Sequence, residues 1–145
     1  MKVVVQRVNQ ARVIVDERIL GEIKHGYLLL VCMEKGDSAE TITKACKKIV
    51  GLRIFEDENA KMNKNLEQVG GEILSISQFT LSWDGSKGNR PSFENSMPPE
   101  QARLLYSMFN KQLRDHGINV ATGKFAASMQ VELTNNGPVT FSLEF

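Results

Sequence analysis

The strongest constraint on this chain is the run Tyr27-Leu28-Leu29-Leu30-Val31-Cys32-Met33, an unbroken apolar stretch set off by His25-Gly26. Its length is that of a strand, and it lacks the alternation of a half-wet one. It therefore reads as a strand buried on both faces, and the rest of the chain must cover both sides of its sheet. A chain of 145 residues supports one such core, so residues 1–145 are expected to form a single domain. With 41% apolar and 24% charged residues, a disordered or collagenous chain is excluded.

Around this run the β signal dominates. Val3, Val4, Val5 and Val8 open one β-branched segment, and residues 11–15 form a second, read as two strands. Asp16-Glu17-Arg18 turns into a strand at 19–23, residues 52–55 make a short strand, 57–65 is loop-like, and 72–79 is a strand with a polar end. Residues 129–133 and 139–143, separated by Asn135-Asn136-Gly137-Pro138, read as a hairpin.

Two helices are predicted. Asp37 or Ser38 caps the first, over 38–50, where Ile42, Ala45, Cys46, Ile49 and Val50 share a face and Gly51 ends it. Pro98-Pro99 starts the second, over 99–115, with Ala102, Leu105, Tyr106, Phe109 and Leu113 as its apolar stripe before Gly117. The class is α+β, with a layered or barrel-like sheet carrying both helices.

A formal net charge of +1 leaves no broad basic face, so any contact with RNA must be local. Lys44, Lys47 and Lys48, then Lys61 and Lys64, then Lys87 with Arg90 are the candidate patches. Cys32 and Cys46 lack metal or disulfide spacing and read as buried thiols. The N-terminus reaches charge too early for a signal peptide, and no apolar stretch nears the ~18 residues of a membrane span, so a cytoplasmic protein without membrane contact is expected.

Catalytic side chains are sparse. His25 and His116 both adjoin a glycine, and His116 suits a helix C-terminus, so neither a Ser-His-Asp triad nor a three-ligand metal site is indicated. What remains is Ser77-Gln78-Phe79-Thr80-Leu81, where an apolar strand ends in hydroxyls and an amide. Backbone N–H groups at such an end lack ladder partners and can donate to a developing oxyanion, although a strand with a wet face gives the same pattern. The loop at 82–96, rich in Gly, Ser, Asn and Pro, has the length of a functional loop. Asn136-Gly137-Pro138 reads as an ordinary turn or, with a cis Gly-Pro bond, as a rigid pair of carbonyls able to seize an ammonium group.

These segments, with Gln6-Arg7-Val8, Arg90-Pro91-Ser92-Phe93, Thr122-Gly123-Lys124-Phe125-Ala126-Ala127-Ser128-Met129 and Gly137-Pro138-Val139-Thr140, resemble the D-aminoacyl-tRNA deacylases over the whole chain. The resemblance implies a β/β/α layered fold, a homodimer, and hydrolysis of the ester between a D-amino acid or glycine and the 3′-terminal adenosine of tRNA, with no cofactor or metal assigned. It implies that Ser77, Gln78, Phe79 and Thr80 form the catalytic floor, with Thr80 either a nucleophile or a positioning group. It further implies that Phe125 and Met129 contact the terminal adenine, that Gly137 and Pro138 enter the partner subunit's site to exclude L-amino acids, and that Arg7 supports them. The rivals are another small hydrolase and a non-catalytic RNA or protein interaction module.

Overall fold

The computed structural model describes residues 1–86 and 88–145. Its backbone is one long strand, β1 (Lys2–Val15), against which most of the sheet is assembled. The first half of β1 pairs antiparallel with β3 (Gly26–Cys32), Lys2 lying opposite Cys32 and Val8 opposite Gly26. Its second half pairs on the same edge with β2 (Arg18–Ile23), from Ala11 opposite Ile23 to Val15 opposite Arg18. The other edge is covered along its length by β8 (Gln130–Glu144), from Lys2 opposite Glu144 to Ile14 opposite Gln130. Beyond β3, the sheet continues through parallel strands β6 (Glu72–Ser77) and β7 (Val120–Thr122).

Two expectations are corrected here. The segments at 3–8 and 11–15 are one strand, because the polar pair Asn9-Gln10 is exposed on a continuous ladder rather than placed in a turn. The C-terminal segments are not a hairpin, since both halves pair with β1 and not with each other. Gln6 lies opposite Thr140 while Val8 lies opposite Asn135, so residues 136–139 have no partner on β1 and stand off the ladder as a wide bulge. Asn-Gly-Pro is good turn chemistry, but a fourteen-residue β1 supplies both halves with a ladder that no local signal reveals.

The short strand expected at 52–55 is reduced to β4 (Phe55–Glu56). It pairs with β5 (Met62–Lys64) inside the stretch read as loop. Asp57 ties that turn by accepting from the N–H groups of Asn59 at 2.8 Å and Lys61 at 3.1 Å, which holds its carboxyl below the usual range.

Both helices fall where their caps predict. α1 (Ala39–Val50) is capped by Ser38 in a reciprocal box with Thr41, while Asp37 instead meets the N-terminal ammonium at 2.7 Å. α2 (Pro99–Asp115) begins on Pro99 and ends at His116, before Gly117 at φ +80°. They bury Ile42, Cys46, Ile49, Phe109 and Leu113 against Val3, Val5, Tyr27, Leu29, Val31 and Ile73 on one sheet face.

The opposite face buries Val8, Val13, Leu28, Leu74 and Ile76 beneath half-buried Met129, Val131 and Leu133. β3 thus feeds both cores alternately, as its unbroken apolar run requires, and each fully buried Leu or Phe contributes about 1.5–3 kcal/mol. Cys32 and Cys46 are buried and unpaired with each other. Among the described residues no helix is long and apolar enough to cross a membrane.

Candidate active site

The last rung of β6 is the Gln78 N–H donating to the Val31 carbonyl at 2.8 Å. Gln78, at φ −143° and ψ 78°, then turns the chain into a 3-10 turn, Phe79–Ser82, without its side chain capping the turn. The Phe79 and Thr80 N–H groups lead that turn, so no preceding carbonyl of the turn receives them.

Beyond the turn's own bonds, the Phe79 carbonyl accepts from the Ser82 hydroxyl at 2.8 Å and the Cys32 thiol at 3.5 Å, both side chains being about 1% exposed. Burial pushes the Cys32 thiol up to about 11, so it stays protonated and donating at neutral pH. In a trans peptide the C=O and the following N–H point opposite ways, so gripping the Phe79 carbonyl also aims the Thr80 N–H. The Thr80 hydroxyl itself accepts from the Gln78 amide at 2.5 Å.

This turn opens on a cavity of about 630 Å³. Cys32, Ser77, Gln78 and Phe79 form one wall, the start of α2 through Ala102 and Tyr106 another, and the loop bearing Phe125 and Met129 a third. Phe93 from the long loop packs edge-on to Phe79 at 4.9 Å. Tyr106 pins the α2 wall to β6, donating from its hydroxyl to the Ser75 carbonyl at 2.8 Å, and burial raises its phenol above the ordinary value. Its ring meets Phe125 at 5.9 Å. A Cβ on Gly123 would lie 2.5 Å from the Met129 sulfur, so a larger residue there would push that side chain out of its place on the cavity wall.

Among the described residues, no charged side chain lines this cavity. A larger depression of about 900 Å³ lies across β1, β2 and the first part of β8, lined by Arg12, Glu22, Lys24 and Glu132 among others. Size favours it, but it holds none of the strand-end residues, and its Arg12 is already paired with Glu132 at 2.6 Å. The smaller cavity is therefore the candidate site. Among the described residues, no three His, Cys, Asp or Glu side chains gather as a metal centre. His25 packs on Phe55 at 4.8 Å, where burial and the Arg7 charge lower its pKa.

Residues 4–144 match the family model described as D-Tyr-tRNA(Tyr) deacylase. The chain belongs to this deacylase family. It is 50% identical to the D-aminoacyl-tRNA deacylase of Lactobacillus gasseri over 99% of both chains. It is 52% identical to that of Listeria monocytogenes, covering 99% of this chain and 95% of the relative. A solved structure titled c-Myc DNA Unwinding Element Binding Protein superposes with TM-score 0.94 at 41% identity, covering 100% of this chain and 99% of the other. A probable eukaryotic D-amino acid tRNA deacylase has the same fold, with TM-score 0.83 at 18% identity, covering 98% and 97% of the two chains. The α+β class, with two helices on a barrel-like sheet, agrees with both.

In this deacylase-family chain, Ser77, Gln78, Phe79, Phe125 and Met129 converge on one cavity, whereas Gly137, Pro138 and Arg7 gather elsewhere. Gly137 and Pro138 are exposed on the β8 bulge and joined by a cis bond. Arg7, 4% exposed, holds the bulge: its Nε donates to the Asn136 carbonyl at 3.1 Å, and one terminal nitrogen to the Ile54 carbonyl at 2.6 Å. Gly137 has φ +127°, and a Cβ there would lie 2.6 Å from Val139 Cγ2.

Sequence reasoning missed Tyr106 as a wall, having placed it only in the α2 core stripe, and missed Ser82 and Cys32 as a grip on Phe79. No spacing rule signals a contact made between a strand end and a turn forty-seven residues away. Of the lysine patches, Lys87 lies outside the described residues.

Proposed function

We propose that this chain hydrolyses the ester linking a D-amino acid, or glycine, to the 3′-terminal adenosine of tRNA and spares L-aminoacyl-tRNA. The observation that carries the reading is the cavity, which borders the turn beginning at Phe79 and, among the described residues, is lined by no charged side chain. Such a site is suited to position an ester and stabilise its oxyanion, not to supply an acid–base pair. The carbonyl of the ester takes the Phe79 and Thr80 N–H groups, over a floor of Ser77 and Gln78. The substrate's own ribose 2′-hydroxyl orients the attacking water.

Thr80 is a positioning residue here, because its oxygen accepts from the Gln78 amide and, among the described residues, the cavity lining holds no His, Asp, Glu or Lys to take its proton. Thr80→Ala accordingly loses no more than about tenfold in single-turnover rate, whereas removing a true nucleophile costs orders of magnitude more. Complete loss in a folded, substrate-binding variant would restore Thr80 as the nucleophile.

Phe125 and Met129 take the terminal adenine. Phe125→Ala is expected to weaken tRNA binding by about tenfold, in line with base–aromatic stacking, and to leave the chemical step nearly unchanged. Unaltered affinity would remove the stacking role.

Handedness is sorted by Gly137 and Pro138 from a second copy of the chain. Within one protomer this segment is exposed and does not line the cavity, yet it is braced from behind by a buried guanidinium. A second support for the homodimer is β8, which among the described strands pairs only with β1 and carries Phe141 38% exposed. A fifteen-residue edge strand of this kind is a ready surface for another copy. Main-chain carbonyls around the α-ammonium of a D-residue leave its side chain outward, while an L-residue drives its Cβ into them, so many D-side chains are accepted.

The deciding assay follows deacylation of D-tyrosyl-tRNA and L-tyrosyl-tRNA side by side. Selective loss of the D-ester is expected. Equal loss of both would contradict chiral sorting, and loss of neither would favour a nucleic-acid-binding module.

A further inference from the structure

A substrate as acidic as tRNA requires cations, yet among the described residues none lines the cavity, and the chain's net charge is +1. Lys44, Lys47, Lys48, Lys61 and Lys64 do not line the cavity, and two of them are already engaged: Lys44 pairs with Glu40 at 2.7 Å and Lys64 with Glu58 at 2.5 Å. Arg103 stands apart from them. On α2 the residues Pro99, Ala102 and Tyr106 line the cavity, and Arg103 completes the same helical stripe at spacing i, i+3, i+4, i+7. Its guanidinium lies 5.4 Å above the centre of the Phe125 ring, a geometry that holds a long side chain in place while leaving its N–H donors unused. Among the described residues no carboxylate pairs with it and no hydrogen bond occupies it, and the side chain is exposed. Lys124, also exposed, is the neighbour of Phe125 in sequence.

From this placement we infer that Arg103 is the docking point for the phosphate joining the terminal adenosine of the substrate to the preceding nucleotide. The inference rests on the reading of Phe125 as the adenine contact. An adenine held there has its 5′-phosphate leaving at the rim, where a planar, forked, unpaired cation waits. A guanidinium matches a phosphodiester with two parallel N–H donors, and stacking on Phe125 fixes the plane of that fork in advance. The same contact joins anchoring to recognition, since the ring that meets the base also aims the cation at the phosphate. It distinguishes tRNA from a free aminoacyl nucleoside at the one place where the neutral cavity cannot.

The test compares wild type, Arg103→Gln and Arg103→Lys on three substrates: D-tyrosyl-tRNA, 3′-O-D-tyrosyl-adenosine with a free 5′-hydroxyl, and the same ester bearing a 5′-phosphate. Arg103→Gln should raise KM for the tRNA by about tenfold with kcat retained, and lower the slope of log affinity against log salt by about one. It should abolish any advantage of the 5′-phosphate and leave the ester that lacks a phosphate unaffected. Arg103→Lys should keep the charge-dependent part of binding and lose the part that depends on the fork. An equal loss on all three substrates would show that Arg103 only props Phe125 and would overturn the phosphate assignment, as would an unchanged KM for tRNA. If wild type cleaves none of the three, the esterase reading fails instead. Cleavage of all three with no response to Arg103 fails the phosphate contact alone.

Discussion

Gly137→Ala is expected to lower the single-turnover deacylation of D-tyrosyl-tRNA by at least about a hundredfold, the scale on which a displacement near 1 Å acts on a positioned site. The cause is local. At φ +127° an L side chain is strained, and its Cβ would stand 2.6 Å from Val139 Cγ2, 3.0 Å from the Val139 nitrogen and 3.1 Å from an Arg7 terminal nitrogen. The bulge must shift, and with it the carbonyls proposed to hold the ammonium group. Because residues 136–139 have no ladder partner on β1, the shift should leave the sheet intact. A thermal melt within a few degrees of wild type is therefore expected alongside the lost activity. Wild-type turnover in a variant confirmed by mass would remove this segment from the mechanism.

The second large effect falls on stability as well as rate. Arg7 is 4% exposed, and its guanidinium spans the Ile54 carbonyl at 2.6 Å, the Asn136 carbonyl at 3.1 Å and Glu56 at 3.7 Å. Arg7→Met keeps the aliphatic stem and strips the donors, leaving at least two carbonyls without their partner. Leaving buried acceptors unmet costs about 1–3 kcal/mol each, so a loss of about 3 kcal/mol is expected. For a domain of this size that lowers the melting midpoint by roughly 10 °C.

Activity should fall further than the unfolded fraction explains, since the bulge loses its brace. Arg7→Lys should not restore either property, because a single ammonium cannot reach two carbonyls in a fork. An Arg7→Met protein as stable and as active as wild type would refute this account of the bulge.

These two residues also mark what a linear reading can and cannot see. Elements whose signals are local are placed correctly: the apolar run at 27–33, the Ser38 cap, Pro99 at the start of α2 and Gly117 beyond its end. Elements defined by distant pairing are not. The break read between residues 8 and 11 and the turn read at Asn136-Gly137-Pro138 both lie within long strands, because β1 and β8 stabilise each other across more than a hundred residues of chain.

The strand end Ser77-Gln78-Phe79-Thr80 was legible as an abrupt change from apolar to polar. Its meeting with Phe125 and Met129 was drawn from family resemblance, since spacing alone says nothing of a loop folded back over β6. Arg103 offered no signal, being one more charge on the wet side of a helix until Phe125 is placed beneath it.

The central claim is that one protomer's cavity is completed by the other's Gly137-Pro138 bulge, and a mixed dimer tests it most directly. Gly137→Ala spoils the bulge, while Ala127→Trp fills the cavity wall, and each variant alone should be nearly inactive on D-tyrosyl-tRNA. After the two are unfolded and refolded together, half of the dimers carry one intact cavity facing one intact bulge, and roughly a quarter of wild-type activity should return. If the refolded mixture contains the mixed species and stays as inactive as its parents, the bulge does not act across the interface and the account is contradicted.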